Sequence, residues 1–332
     1  MASGGPGDGP LGLGRGILLA YTLRRLLQAI PVILLVTLIV FLLNAAIPGD
    51  PGRIRLGQRA DPAAVEAYNE ARGYNDPIPV QYFNYLWRLF TQFDLGESDV
   101  KAGKSVNEIL EESFFVTLRL ALLSIIVALI VGIGAGILSA VKSRTAVDFI
   151  SMLIAIIGVS MPVFWLGILM IIYVAPVLGL PRTGFDDTNT YTMLRSLAMP
   201  ASALGLLSSA TIARLSRSAM LDVMTQDYIR TARSKGLAES VVVLKHAMRN
   251  AAIPIVTVVG NSFGYLLVGA VLTETVFALP GLGREVVEAI KQRDRELITG
   301  GILLMSFVFI GVNLLVDLSY AVFDPRIRDD RS

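Results

Sequence analysis

The chain has 332 residues, 54% of them hydrophobic and only 17% charged, with a mean hydropathy of +0.63 and a formal net charge of +2. Soluble chains carry about 25% charged and about 45–50% apolar residues, so this one lacks the polar surface to coat its apolar mass; a soluble enzyme and a secreted domain are excluded. With no cysteine and one histidine, His246, cysteine chemistry and histidine metal cages fall away, and without a clustered basic face nothing points to nucleic acid.

Residues 1–20 open with glycines at 4, 5, 7, 9, 12, 14 and 16 and read as a flexible tail. The Gly12-Leu13-Gly14-Arg15-Gly16 piece follows no strand and is badly spaced for a phosphate loop. Six charge-free runs then match the roughly 20 residues that cross about 30 Å of hydrocarbon. They predict spans over 26–47, 120–141, a third from Phe149, 196–213, 251–273 and 297–316. The first run is longer than a signal-peptide core and is expected to stay as an anchor. The third is too long for one crossing, so Pro162 is expected to kink it and Pro176 to end it. The fourth is short and carries Ser202, Ser208, Ser209 and Thr211.

Lysines and arginines in short loops orient such a chain. With the N-terminus inside, the cytoplasmic pieces hold 15 of them against 6 in the short external loops, which puts both termini inside. The predicted fold is therefore an all-α polytopic membrane protein with six transmembrane helices and a large external segment after the first. Its parts are the tail, a first span (21–48), the external segment (49–119), a five-helix core (120–320) containing a cytoplasmic loop at 214–250, and a C-terminal tail (321–332). The external segment holds Tyr82, Phe83, Tyr85, Trp87, Phe90 and Phe93, enough aromatic surface either to pack on itself or to lie on the membrane. Ser105 with Glu108 has capping-box spacing and opens an amphipathic helix leading into span two.

No Asp, Glu, Lys or Arg sits clearly at mid-membrane; Glu274 and Asp317 lie near span ends. Proton-coupled carriers and intramembrane aspartyl proteases need deeper carboxylates. The pairs Gly132/Gly136 and Gly260/Gly264 have the spacing that lets helix backbones approach, and Gly134 and Gly269 lie beside them. Ser160 beside Pro162, and Asn261 with Ser262, either line a water-filled path or bond between helices. Gly103-Lys104-Ser105 ends like a P-loop, but Ser98 stands where its first glycine belongs.

Loop 214–250 reads as helix, glycine, helix, with Gly236 free to take positive φ, and the second helix leads into span five, with Pro254 at that span's start. On periodicity alone it is a solvated connector or a surface helix that docks in a partner's cleft. The run Asp227-Tyr228-Ile229-Arg230-Thr231-Ala232-Arg233-Ser234-Lys235-Gly236-Leu237 resembles the "EAA" loop of the inner-membrane permeases of binding-protein-dependent ABC importers. Arg230-Thr231-Ala232 occupies the Glu-Ala-Ala slots, and His246-Ala247-Met248-Arg249 stands where Ile-x-Leu-Pro is usual. Those departures resemble the oligopeptide/dipeptide branch. So do Pro48-Gly49-Asp50-Pro51, Asp94-Leu95-Gly96, Glu274-Thr275-Val276-Phe277, Pro280-Gly281-Leu282-Gly283 and Asp324-Pro325-Arg326-Ile327-Arg328. The large segment after span one resembles the B-type subunit.

The resemblance implies a non-catalytic half-permease in a bacterial or archaeal plasma membrane, without cofactor or metal. Its implied partners are a second, homologous permease, two cytoplasmic ABC ATPases and an extracytoplasmic binding protein that delivers di- or oligopeptides. Nickel chelates, glutathione and oligosaccharides are alternative cargoes. ATPase coupling would fall to Tyr228, Arg230, Thr231, Ala232, Lys235, Gly236, Leu237 and Glu239, with His246 a surface residue of the same loop. The path or gate would draw on Ser160, Pro162, Asn261, Ser262, Glu274, Pro280 and Gly281. For Glu274 the alternatives are a polar latch or substrate contact at the outer gate, and a helix-end residue paired with a base such as Arg284; for the 280–283 turn they are a gate and a plain tight turn. A stand-alone channel or carrier, or a membrane scaffold or sensor, would be the rival to the importer.

Overall fold

Backbone polar groups in hydrocarbon find no water, so an apolar chain must satisfy them within each segment, and the helix is the form that does so. The computed structural model describes residues 10–46, 48–101 and 103–323. Among them there is no strand, and non-helical pairing is a single bridge between Glu97 and Ser105. Five of the described helices are long and apolar enough to span a membrane, and six do if a bent pair is counted as one span.

The first, α1 (Pro10–Ala45), starts eleven residues before the expected span (21–48), so residues 10–20 are helix rather than flexible tail. Asp50 of the Pro-Gly-Asp-Pro sequence then caps α2 (Pro51–Leu56), accepting from the Gly52 and Arg53 amides at 2.9 and 3.3 Å. Helices α3 (Pro62–Ala71) and α4 (Ile78–Trp87) follow, and α4 runs on as a π turn over Arg88–Gln92. Asp294 fastens this segment to the core. Its carboxylate accepts from the amides of Asp99 (3.1 Å), Val100 (3.4 Å) and Leu297 (3.2 Å) and from the Ser98 hydroxyl.

Ser105 caps α5 (Val106–Val141), accepting from the Asn107 amide at 3.2 Å; the amphipathic start and the second span form one 36-residue helix. The third span breaks at Met161-Pro162 between α6 (Ala146–Ser160) and α7 (Val163–Leu169), and its two arms meet at 102°. The proline at 162 bends the span as expected, because it supplies no amide and crowds the preceding turn. Pro176 does not end the span. A π turn (Met170–Val174) sets it in the first turn of α8 (Ala175–Leu178), where a missing amide costs nothing, and the helix stops at Gly179 with φ 61°. Helix α9 (Thr190–Met224) is twice the expected length and carries Pro200 within it.

Helices α5 and α9 lie in close contact because glycines remove the side chains between them. A Cβ on Gly132 would stand 2.8 Å from the Ser209 carbonyl, one on Gly136 2.7 Å from that of Ala213, and one on Gly205 2.6 Å from that of Ser124. The core on either side is made of Leu120, Ala128, Leu197, Ala203 and Ile212, all nearly or fully buried. After α10 (Asp227–Ser234) and α11 (Glu239–Val241), a π turn (Val242–Ala247) leads into α12 (Met248–Gly269), which runs continuously from the loop into the fifth span and carries Pro254 within it. Then come α13 (Val271–Val276), α14 (Leu282–Gln292) and α15 (Arg295–Phe323). The Asp324–Arg328 motif, the side chain of Asp317 and residues 1–9 of the tail lie outside the described residues.

Candidate functional site

The helix–glycine–helix segment forms at one end of the bundle. Ile229 and Ala232, one turn apart on α10, are buried with Val242, Val243 and Ala247 of the π turn against Met220 and Ala140. That spacing leaves the rest of α10 facing out. Of the eight residues expected to couple, Ala232 is therefore an anchor, while Tyr228, Arg230, Thr231, Lys235, Gly236, Leu237 and Glu239 are exposed. Gly236 has φ 74° and open space around it, so the backbone reverses there without a side chain to strain it. Arg233 spans the turn with two bonds to Glu239, at 2.7 and 3.1 Å, and Asn250 donates to the Tyr228 hydroxyl at 2.8 Å. The turn is pinned at both ends while its outer surface stays uncovered. His246 is half-buried in the same segment and its carbonyl accepts from Asn250.

Just below this segment lies a cluster that the sequence reading missed. Arg217 of α9 donates from Nε and from a terminal nitrogen to the two oxygens of Asp148 on α6, both at 2.7 Å. Ser139 of α5 donates to the same carboxylate, and the Arg144 amide adds a bond at 3.0 Å. The cluster thus ties three spans together where they meet the loop. Asp148 and Arg217 are 69 residues apart, so only the charge of each was visible in the sequence.

The residues expected to line a path divide into separate places. Glu274, Pro280 and Gly281 come together. Glu274 is fully buried and accepts from the Thr117 hydroxyl at 2.6 Å and the Arg284 amide at 3.0 Å. Thr117 in turn accepts from the Leu282 amide at 2.8 Å. A Cβ on Gly281 would overlap the Glu274 carboxyl, so the glycine is what admits it. Glu274 therefore caps the start of α14 through backbone amides, where a carboxylate suits the positive end of a helix. The expected pairing partner Arg284 supplies its amide rather than its guanidinium.

Ser160 and Pro162 sit instead at the α6–α7 break, with the Ser160 hydroxyl donating to Ile156 of its own helix at 3.0 Å. Asn261 is exposed and Ser262 half-buried on α12. Gly260 and Gly264 approach Val316, Phe309 and Val312 of α15, a packing role like that of Gly132 and Gly136. Among the described residues, no group of His, Cys, Asp and Glu is arranged to hold a metal ion.

A bundle of apolar helices with a pinned, outward-facing helix–glycine–helix segment at one end has the form of a membrane permease subunit. Residues 132–329 match the family model described as the binding-protein-dependent transport system inner membrane component, and residues 18–121 match the N-terminal model of such components. A dipeptide transport system permease protein of Alkalihalophilus pseudofirmus is 41% identical, covering 94% of this chain and all of its own. A glutathione transport system permease protein of Escherichia coli is also 41% identical, covering 94% of this chain and 99% of its own. The inward-facing MetNI methionine ABC transporter superposes with a TM-score of 0.54 at 19% identity, over 65% of this chain and 96% of that one, a likeness of fold. The chain belongs to the family of inner-membrane permease components of binding-protein-dependent ABC importers, and it is a multi-pass protein of the bacterial plasma membrane.

Proposed function

We propose that the chain is one half of a peptide permease and that the segment from Tyr228 to Glu239 receives an ABC ATPase. The observation that carries this reading is the geometry of that segment: Ile229 and Ala232 hold it to the bundle, the Arg233–Glu239 pair closes the turn, and Gly236 leaves its outer face unobstructed. Such an element transmits a push or pull to α9 and α12 as a rigid body. With loop 214–250 and both termini in the cytoplasm, closure of two ATPases would move this half against a second, homologous permease. The pathway would then alternate between a side that receives cargo from a binding protein and a side that releases it. The covalent chemistry of ATP belongs to the ATPase partners in this scheme.

Peptide is the cargo we infer, because relatives at 41% and 43% identity are named for dipeptide and peptide transport, with glutathione, named for another relative, the alternative. The test is uptake of a radiolabelled dipeptide by cells whose own copy is deleted and replaced by wild type or Gly236→Pro. Proline cannot adopt φ 74°, so the variant should insert at normal levels and lose uptake. Normal uptake by Gly236→Pro would refute the coupling role. A wild-type complex that accumulates glutathione or a metal chelate but no dipeptide would refute the cargo.

A further inference from the structure

Helix α4 is apolar on two of its three edges, and only one of those is covered. Along one edge Val80, Phe83, Trp87 and Phe90 follow one another at spacings of three and four residues, and all are exposed, Phe83 at 64% and Trp87 at 58%. The neighbouring edge carries Gln81, Asn84 and Arg88, which turn toward a crevice of about 440 Å³ that Glu296 also lines. The remaining edge packs on the bundle through Tyr82, Tyr85 and Leu89. A helix folded against a bundle in water would be apolar on the packed edge alone and polar on the rest.

Two spans independently report how deep α4 lies. Asn44 near the end of α1 donates to the Arg295 carbonyl at the start of α15, so both helices enter the apolar zone at one level. Tyr82 shares a hydrogen bond of 2.8 Å with Thr37 and donates to the Leu34 carbonyl at 3.1 Å. Thr37 lies eight residues before Ala45, about 12 Å along the helix at 1.5 Å per residue. Tyr85 and Leu89 pack on Leu303, which lies eight residues, again about 12 Å, beyond Arg295. The hydrocarbon of one leaflet is about 15 Å deep, so contacts at this level lie within it. The exposed edge continues the apolar outer surface of α1, where Leu34, Leu35 and Leu38 are exposed.

Backbone polarity is contained accordingly. The π turn ends at Phe93 with φ 53°, where the chain leaves helical geometry. There Asn107 donates to the Phe93 carbonyl at 2.7 Å and accepts from the Leu95 amide at 2.9 Å. On the entry side Gln81 donates to the carbonyls of Tyr74 and Asp76. Non-spanning backbone at membrane depth requires this kind of satisfaction.

We propose that residues 78–92 are embedded in the leaflet on their side of the membrane, with Val80, Phe83, Trp87 and Phe90 against phospholipid acyl chains, and that only the polar edge faces water. The chain lacks cysteine, so Phe83→Cys and Phe90→Cys each give a unique spin-label position, and Glu66→Cys on α3 gives a water-facing reference. The labelled full-length chain is reconstituted in phosphatidylethanolamine and phosphatidylglycerol vesicles, and collisions with oxygen and with a water-soluble nickel chelate are compared. Positions 83 and 90 should meet oxygen several-fold more often than the chelate, with the ratio reversed at 66. Chelate access at 83 and 90 equal to that at 66 would overturn the proposal in favour of an aqueous face. Exclusion of both reagents, in the chain alone or in its assembled complex, would overturn it in favour of a protein partner. If Phe83→Cys fails to insert, Trp87→Cys, 58% exposed on the same edge, reads the same surface.

Discussion

The contact between α5 and α9 makes a sharp prediction from two glycines two residues apart. A Cβ on Gly136 would stand 2.6 Å from the Ser216 Cβ and 2.7 Å from the Ala213 carbonyl, where ordinary contact begins at 3.4 Å; one on Gly134 would meet nothing within 4 Å. In Gly136→Val the two backbones must separate by about 0.8 Å or the valine must leave its rotamer, and overpacking of this kind costs about 1–3 kcal/mol. The neighbours here are helix backbone and the short Ser216 side chain, which have little room to give, so the cost belongs near the upper end. Gly134→Val carries only the propensity change, a few tenths of a kcal/mol in its favour. Thermal unfolding of both variants in one detergent, followed by intrinsic fluorescence, should show Gly136→Val melting well below wild type and Gly134→Val at or slightly above it. Equal midpoints for the two variants would refute the close approach of α5 and α9.

Three further outcomes follow from the polar clusters. Asp148→Ala leaves Arg217 without its two-pronged partner and should destabilise the chain by about 3 kcal/mol, whereas Ser139→Ala should cost less; chemical denaturation of the two in detergent tests the order. Glu274→Ala strands the Arg284 amide, leaves the Thr117 hydroxyl only its longer bond to the Ser113 carbonyl as donor, and should cost about 2 kcal/mol, with α14 showing faster amide hydrogen exchange than in wild type. Burial, and then the neighbouring Asp294, hold the Asp99 carboxyl above its ordinary pKa. An acid raised in the folded state favours its neutral form there, so its charge opposes folding above that pKa and the cost fades as pH falls through it. Asp99→Asn should therefore raise the melting midpoint at about pH 8 and not at about pH 4; an equal gain at both would contradict the assignment.

The spans were legible because charge is costly in hydrocarbon and its absence marks each run. Their ends were not, since α5 carries Glu108, Glu111, Glu112 and Arg119 on the part that precedes its charge-free stretch, and α9 continues through Arg214 and Arg217. Proline effects were half legible. Pro162 bends a span as its chemistry requires, but Pro176 is accommodated because a π turn places it at a helix start. The turn at Gly236 was readable from local residues alone. The bonds of Asp148 with Arg217 and of Glu274 with Thr117 join residues 69 and 157 positions apart, and nothing local announces such partners. The aromatic residues of 82–93 were visible, but which edge of α4 they occupy depends on its contacts with α1 and α15.

The central claim is that the segment around Gly236 is where an ATPase engages this permease. The most direct measurement is thiol-directed photocrosslinking from Lys235→Cys, an exposed position on a cysteine-free chain, in membranes containing the assembled complex. The adduct should contain an ABC ATPase subunit identified by mass spectrometry, and Glu66→Cys should yield none. An adduct of the chain with itself at position 235, or no adduct while dipeptide uptake proceeds, would contradict the account.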